Sequence, residues 1–147
     1  MLIIAASPDV NIQKFIELLS ESTCEFTVQN FQSWQQSTAP KGFVYIKVLP
    51  EIAFNRLKKT NTNISFDEIK TDFEHLNNYF ITKTTMPEHL HTIPVLVLNG
   101  FVDFEADISQ FYNHLFYIKK FFQEILDQES KKKGTYVAPK KHSCGRC

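Results

Sequence analysis

The chain has 147 residues, 43% of them hydrophobic and 22% charged, with sixteen Lys and Arg against sixteen Asp and Glu. This is close to globular averages, so it excludes collagen-like, low-complexity and wholly disordered classes and suits one folded domain. No apolar run approaches the ~20 residues of a membrane span, residues 1–9 are too short and lack the basic region of a secretory signal, and three cysteines make no disulfide framework.

These absences lead us to expect a cytoplasmic protein with no membrane partner, and Cys24 reads as a small buried hydrophobe. The neutral total conceals a division. Residues 130–147 carry Lys131, Lys132, Lys133, Lys140, Lys141 and Arg146 with no acid, whereas residues 1–129 hold ten Lys and Arg against all sixteen acids. The body is acidic and the tail basic.

Taken in chain order, residues 2–6 (LIIAA) form a short apolar run that reads as a strand. Ile12, Phe15, Ile16 and Leu19 then recur at helical spacing. Residues 25–28 (EFTV) read as a second strand, and residues 29–41 as a polar loop holding Trp34 and Pro40. Residues 43–49 (FVYIKVL) give a third strand, rich in β-branched and aromatic residues. It runs into Pro50, which suits the first turn of a helix reaching about Lys59.

After the polar residues 60–63, Ser65 and Glu68 have capping-box spacing, and Ile64 and Ile69 stand where a hydrophobic staple would close. A helix to about Tyr79 or Ile81 is expected. Residues 94–98 (PVLVL) predict a fourth strand, ended by Asn99 and Gly100. From Asp103 to about Gln128, Ile108, Phe111, Leu115, Ile118, Phe122 and Ile125 mark a long amphipathic helix, with Phe116, Phe121 and Leu126 widening its apolar stripe. Apolar strands alternating with helices predict a parallel sheet covered on both faces.

The order of these elements resembles the deoxynucleoside kinases. The resemblance rests on residues 43–59 (FVYIKVLPEIAFNRLKK), on the segment from Ile64 to Phe80, on residues 93–98 (IPVLVL) and on Asp103 and Phe104; residues 2–34 are similar in layout to the family's N-terminal part. It implies a shortened P-loop-kinase-like fold, and it places the family's chemistry on particular positions. A phosphate loop G-x-x-x-x-G-K-[ST] needs glycines so that backbone N–H groups can wrap the phosphates, and a lysine to neutralise them. Here Ala6 falls at the first glycine, Asn11 at the second, Ile12 at the lysine and Gln13 at the Ser/Thr, with Lys14 two positions beyond the lysine site.

Aligned through Trp34, the family's catalytic carboxylate falls at Gln29, whose amide accepts no proton at useful pH. Arg56 matches the first basic position of the family's lid. Thr60 and Thr62 replace later arginines, leaving Lys58 and Lys59 as neighbours. Only seven residues separate Trp34 from Gly42, where the family carries a further strand and most of the nucleoside pocket. Loss of that strand should set the 25–28 strand directly beside the 2–6 strand.

Outside the resemblance, Cys144, Cys147 and His142 offer three soft ligands for a zinc half-site completed by a partner. The basic tail suits non-specific, salt-sensitive binding to nucleic acid. The bland alternative is a solvated, disordered tail. His89 and His91 read as loop histidines with a weaker metal reading, and His75 and His114 as helix-surface or boundary residues. The phenylalanines dense over residues 101–122 suit either core or an oligomer face.

We therefore expect an α/β three-layer domain over residues 1–129, with a small, mostly four-stranded parallel sheet, followed by the basic tail over residues 130–147. The function expected is that of a degenerate kinase-like protein without catalysis or cofactor, acting as a binding, regulatory or assembly module, with a homo-oligomer or another protein as partner. The competing readings are an active deoxynucleoside kinase using ATP and Mg2+, with Lys14, Arg56, Lys58 and Lys59 supplying charge, and a protein binding nucleic acid or zinc through its tail.

Overall fold

The computed structural model describes residues 1–7, 10, 12–22, 27–36, 38–59, 63–100 and 108–132. Its elements run β1 (Leu2–Ala6), α1 (Ile12–Ser22), β2 (Val28–Asn30), β3 (Gly42–Lys47), α2 (Pro50–Lys58), α3 (Phe66–Phe80), β4 (Val95–Asn99) and α4 (Ile108–Lys132), with single 3-10 turns at Phe31–Ser33 and Glu88–Leu90. The four strands form one all-parallel sheet in the order β2-β1-β3-β4. Leu2 pairs with Val28 on one side and Gly42 on the other, so β2 does lie directly beside β1.

The sheet is covered on both faces, which is why β1 and β3 read as nearly unbroken apolar runs. Alternation divides them. Leu2, Ile4, Val44 and Ile46 face one way and meet Phe15 and Leu19 of α1 and Phe111, Leu115, Ile118 and Phe122 of α4. Ile3, Ala5, Phe43 and Tyr45 face the other way and meet Tyr79 and Phe80 of α3, with Trp34, Met86 and Leu90. Buried Ala53 of α2 joins the first cluster, and Phe54 of α2 meets Phe66 of α3 edge-on at 5.6 Å.

The connection from β2 to β3 must cross β1, a task that a helix usually performs in parallel sheets. Here an aromatic cluster takes the helix's place. Phe31 lies 5.0 Å from Tyr79 and 5.1 Å from Phe80, and Trp34 lies 5.5 Å from Phe43, all at tilted or edge-on angles that favour ring quadrupoles. Trp34 Nε1 donates to Thr38 O at 3.0 Å, and Lys41 N–H donates to Met1 O at 2.7 Å, guiding the chain into β3. The segment read as a polar loop is therefore partly strand and partly core. Ring area, which polarity counts overlook, is what anchors it.

Other expectations need correction. Ser65 caps α3 by position, yet its side chain makes no capping hydrogen bond, so the capping box does not close. Ile69 is buried and Ile64 packs on the same cluster, as a staple requires. Phe116 leaves the apolar stripe and is 62% exposed, because it stands about 200° round the helix from the core-facing Ile118. His114 is buried, its Nε2 3.0 Å from Asn99 O, and so ties α4 to the end of β4. Helix α4 continues to Lys132, so Ser130, Lys131 and Lys132 belong to it and not to a disordered tail. Residues 103–107, where that helix was expected to begin, lie outside the described residues, as do Cys24, Glu25 and Phe26.

Candidate functional site

In an open parallel sheet, ligands bind in the crevice beyond the carboxyl ends of the strands, where the connections diverge to opposite sides. With the order β2-β1-β3-β4, that place lies at the ends of β1 and its neighbours. A cavity of about 200 Å³ opens there, lined by Ala5, Ala6, Ile12, Asn30, Phe31, Gln32, Asp72, His75 and Leu76. Each element contributes for a local reason. Ala5 and Ala6 end β1, Ile12 opens α1, and the chain turns at Asn30–Gln32 on leaving β2. Asp72, His75 and Leu76 stand at i, i+3 and i+4, so one face of α3 presents all three.

The floor is apolar, from Ala5, Ala6, Ile12, Phe31 and Leu76, and the polar groups are an amide pair, a carboxylate and an imidazole. Asn30 Oδ1 accepts the Gln32 N–H at 3.0 Å, which fixes the Asn30 side chain at the cavity. The lining contains no Lys or Arg, and its one acidic side chain is that of Asp72. Such a site suits a small, uncharged or cationic polar molecule and disfavours a phosphate ester.

The turn between β1 and α1 adds to this. The Val10 N–H donates to Ser7 O at 3.0 Å and the Ile12 N–H to Val10 O at 2.9 Å, so both amides are consumed within the turn. Val10 is buried, and Ser7 Oγ is buried without a hydrogen-bond partner among the described residues. Beneath α3, burial pushes the Tyr45 phenol up to about 12 and raises that of Tyr79 as well, since desolvation disfavours a phenolate.

Of the residues that the resemblance placed at the family's site, Ala6 and Ile12 meet at this cavity. Gln13 is exposed on α1. Lys14 follows it and extends over the Phe111 ring of α4, its Nζ 5.1 Å from the centroid. Gln29 lines a separate depression of about 210 Å³ with Met1, Ser33, Trp34, Gln35 and Thr38. Arg56 donates from Nη1 to Gly100 O at 2.9 Å, joining α2 to the end of β4. Lys58 covers the Phe54 ring at 5.7 Å, and Lys59 is exposed at the end of α2. Asn11, Thr60 and Thr62, and Cys144, Cys147 and His142, lie outside the described residues.

His89 is exposed, whereas His91 Nε2 lies 3.0 Å from Met86 O, so the two do not converge. Among the described residues no group of three or more His, Cys, Asp or Glu is placed to hold a metal, and no helix is long and apolar enough to cross a membrane. Sequence reasoning missed Asn30, Gln32 and Asp72, while His75 is exposed on α3, as read from the sequence, and borders the cavity. Their signal was positional: Asn30 and Gln32 follow the second strand, and Asp72 and His75 share a helix face. The sequence matches no protein-family model and no curated protein.

Proposed function

We propose that this protein is a shortened, non-catalytic relative of the deoxynucleoside kinases that works as a binding, regulatory or assembly module. The turn after β1 carries this reading: two of its amides are spent on Ser7 O and Val10 O, and its side chains at Ala6, Val10 and Ile12 are apolar. Phosphoryl transfer depends almost wholly on positioning and charge stabilisation, so a turn whose Val10 and Ile12 amides are already spent and whose residues 6–13 include no Lys or Arg supplies little of what it needs.

Two further features support the kinship. Strand β2 pairs directly with β1, the arrangement expected when the family's intervening strand is lost. Helix α2 starts at Pro50 and Glu51 directly after β3 and carries Arg56, but that guanidinium is engaged with Gly100 O. The cavity beside Ala6 is also smaller than the ~300–1,000 Å³ usual for small-molecule sites.

A turnover and thermal-shift panel over the four deoxynucleosides with ATP and Mg2+ tests the reading. The expected result is no product above the protein-free control and no magnesium-dependent shift with ATP. A single saturable turnover would overturn it.

A further inference from the structure

We propose that a second copy of this chain packs on the groove between α1 and α4, each copy's Phe116 entering the other's groove across a two-fold axis. The groove, of about 360 Å³, is lined by Leu18, Glu21, Tyr112, Leu115, Phe116 and Lys119. Tyr112, Phe116 and Lys119 stand at i, i+4 and i+7, the spacing with which a helix presents anchors to a partner. Tyr112 is 55% exposed and Phe116 62%, so α4 shows water two large rings that fold no core of their own chain. Clustered exposed aromatics of this kind distinguish an interface from ordinary surface.

The identity of the partner follows from the charges. The α1 side of the groove bears Glu21 and the α4 side bears Lys119, and among the described residues no ion pair joins them. A two-fold axis running along the groove lays α1 of each copy on α4 of the other, and in that arrangement Glu21 of each copy faces Lys119 of its partner copy. A uniformly acidic or basic helix would satisfy one of these charges and oppose the other. The same axis offers each protruding Phe116 the apolar wall of Leu18 and Leu115 in the opposing copy. The groove that anchors the contact is small, so we expect a weak association, in the micromolar range. Glu21 stands about 14 Å along α1 from Ile12, so this interface and the reading of the β1 turn can fail separately.

Sedimentation velocity of the full chain over a concentration series tests the proposal. The wild type should self-associate, and a chain that stays monomeric up to several hundred micromolar would overturn it. Phe116→Asp should weaken the dimer more than about thirtyfold while leaving circular dichroism and thermal melting unchanged, because the ring is exposed. Val97→Lys, on the exposed edge strand β4, should leave the dimer intact. Association that survives Phe116→Asp, or that Val97→Lys abolishes, would place the contact elsewhere and overturn the proposal.

Charge reversal gives an arm independent of folding at Phe116. Glu21→Lys alone and Lys119→Glu alone should each weaken the dimer about tenfold, since two like-charge contacts form per dimer. The double reversal should restore it. No recovery would refute the two-fold pairing of these residues.

Discussion

Replacing Gly42 by Ala should destabilise the fold by about 1–2 kcal/mol, and shortening Ile125 to Val should remove most of that cost. A Cβ added at Gly42, the first residue of β3, would stand 2.7 Å from Ile125 Cδ1 and 3.1 Å from Phe121 Cε2, both on α4. Carbon atoms at rest keep ~3.5–4.0 Å, so α4 or its side chains must move. Overpacking of this kind costs ~1–3 kcal/mol. The smaller unfolded-state entropy of Ala returns ~0.5 kcal/mol, since Gly42 does not use the left-handed region.

Ile125→Val deletes the methyl that clashes and costs ~0.5–1.5 kcal/mol by itself. Independent effects would make the double variant worse than either single one. Relief of the clash predicts a double variant no less stable than Ile125→Val, a favourable coupling of about 1–2 kcal/mol. Urea unfolding followed by the emission of the lone, buried Trp34 measures all four proteins. Additive losses would show that α4 does not rest on the start of β3, and the packing of the whole α1–α4 side would need to be redrawn.

Three further outcomes are expected. Ser7→Ala removes a buried hydroxyl that has no partner among the described residues, so stability should stay level or rise by about 1 kcal/mol; a loss above 1 kcal/mol in the same urea assay would mean that the hydroxyl is hydrogen-bonded. Arg56→Met breaks the half-buried bond to Gly100 O and should cost about 1–2 kcal/mol, and an unchanged midpoint would refute a structural role for that guanidinium. Because burial raises the Tyr45 phenol to about 12, above its unfolded value of 10, its stabilisation is complete below pH 10 and is lost as the pH rises toward 12. Stability should fall by up to about 3 kcal/mol across that window, less steeply in Tyr45→Phe, and an equal fall in both proteins would rule Tyr45 out as the cause.

Much of the fold was legible in one dimension because its signals are local. Residues 2–6 and 43–46 are apolar without interruption, as strands buried on both faces must be, and Phe15 and Leu19 keep helical spacing. The direct pairing of β2 with β1 was also anticipated, from the resemblance to the deoxynucleoside kinases with their intervening strand missing between Trp34 and Gly42. The candidate site was much less legible. Ala6 and Ile12 were found because they adjoin β1, whereas Asp72 and His75 reach the same cavity from α3, some sixty residues away.

What the sequence determined by itself, then, is which segments become strands and helices and that the sheet is parallel, because periodicity and apolar run length act within a few residues of each position. Tertiary structure alone decided the fate of individual side chains: that His114 is buried against Asn99 O while Phe116, two positions on, faces water, and that Arg56 is engaged with the end of β4. Those outcomes depend on which neighbour occupies each direction round a helix. That neighbour comes from a distant part of the chain, brought there only when the layers close.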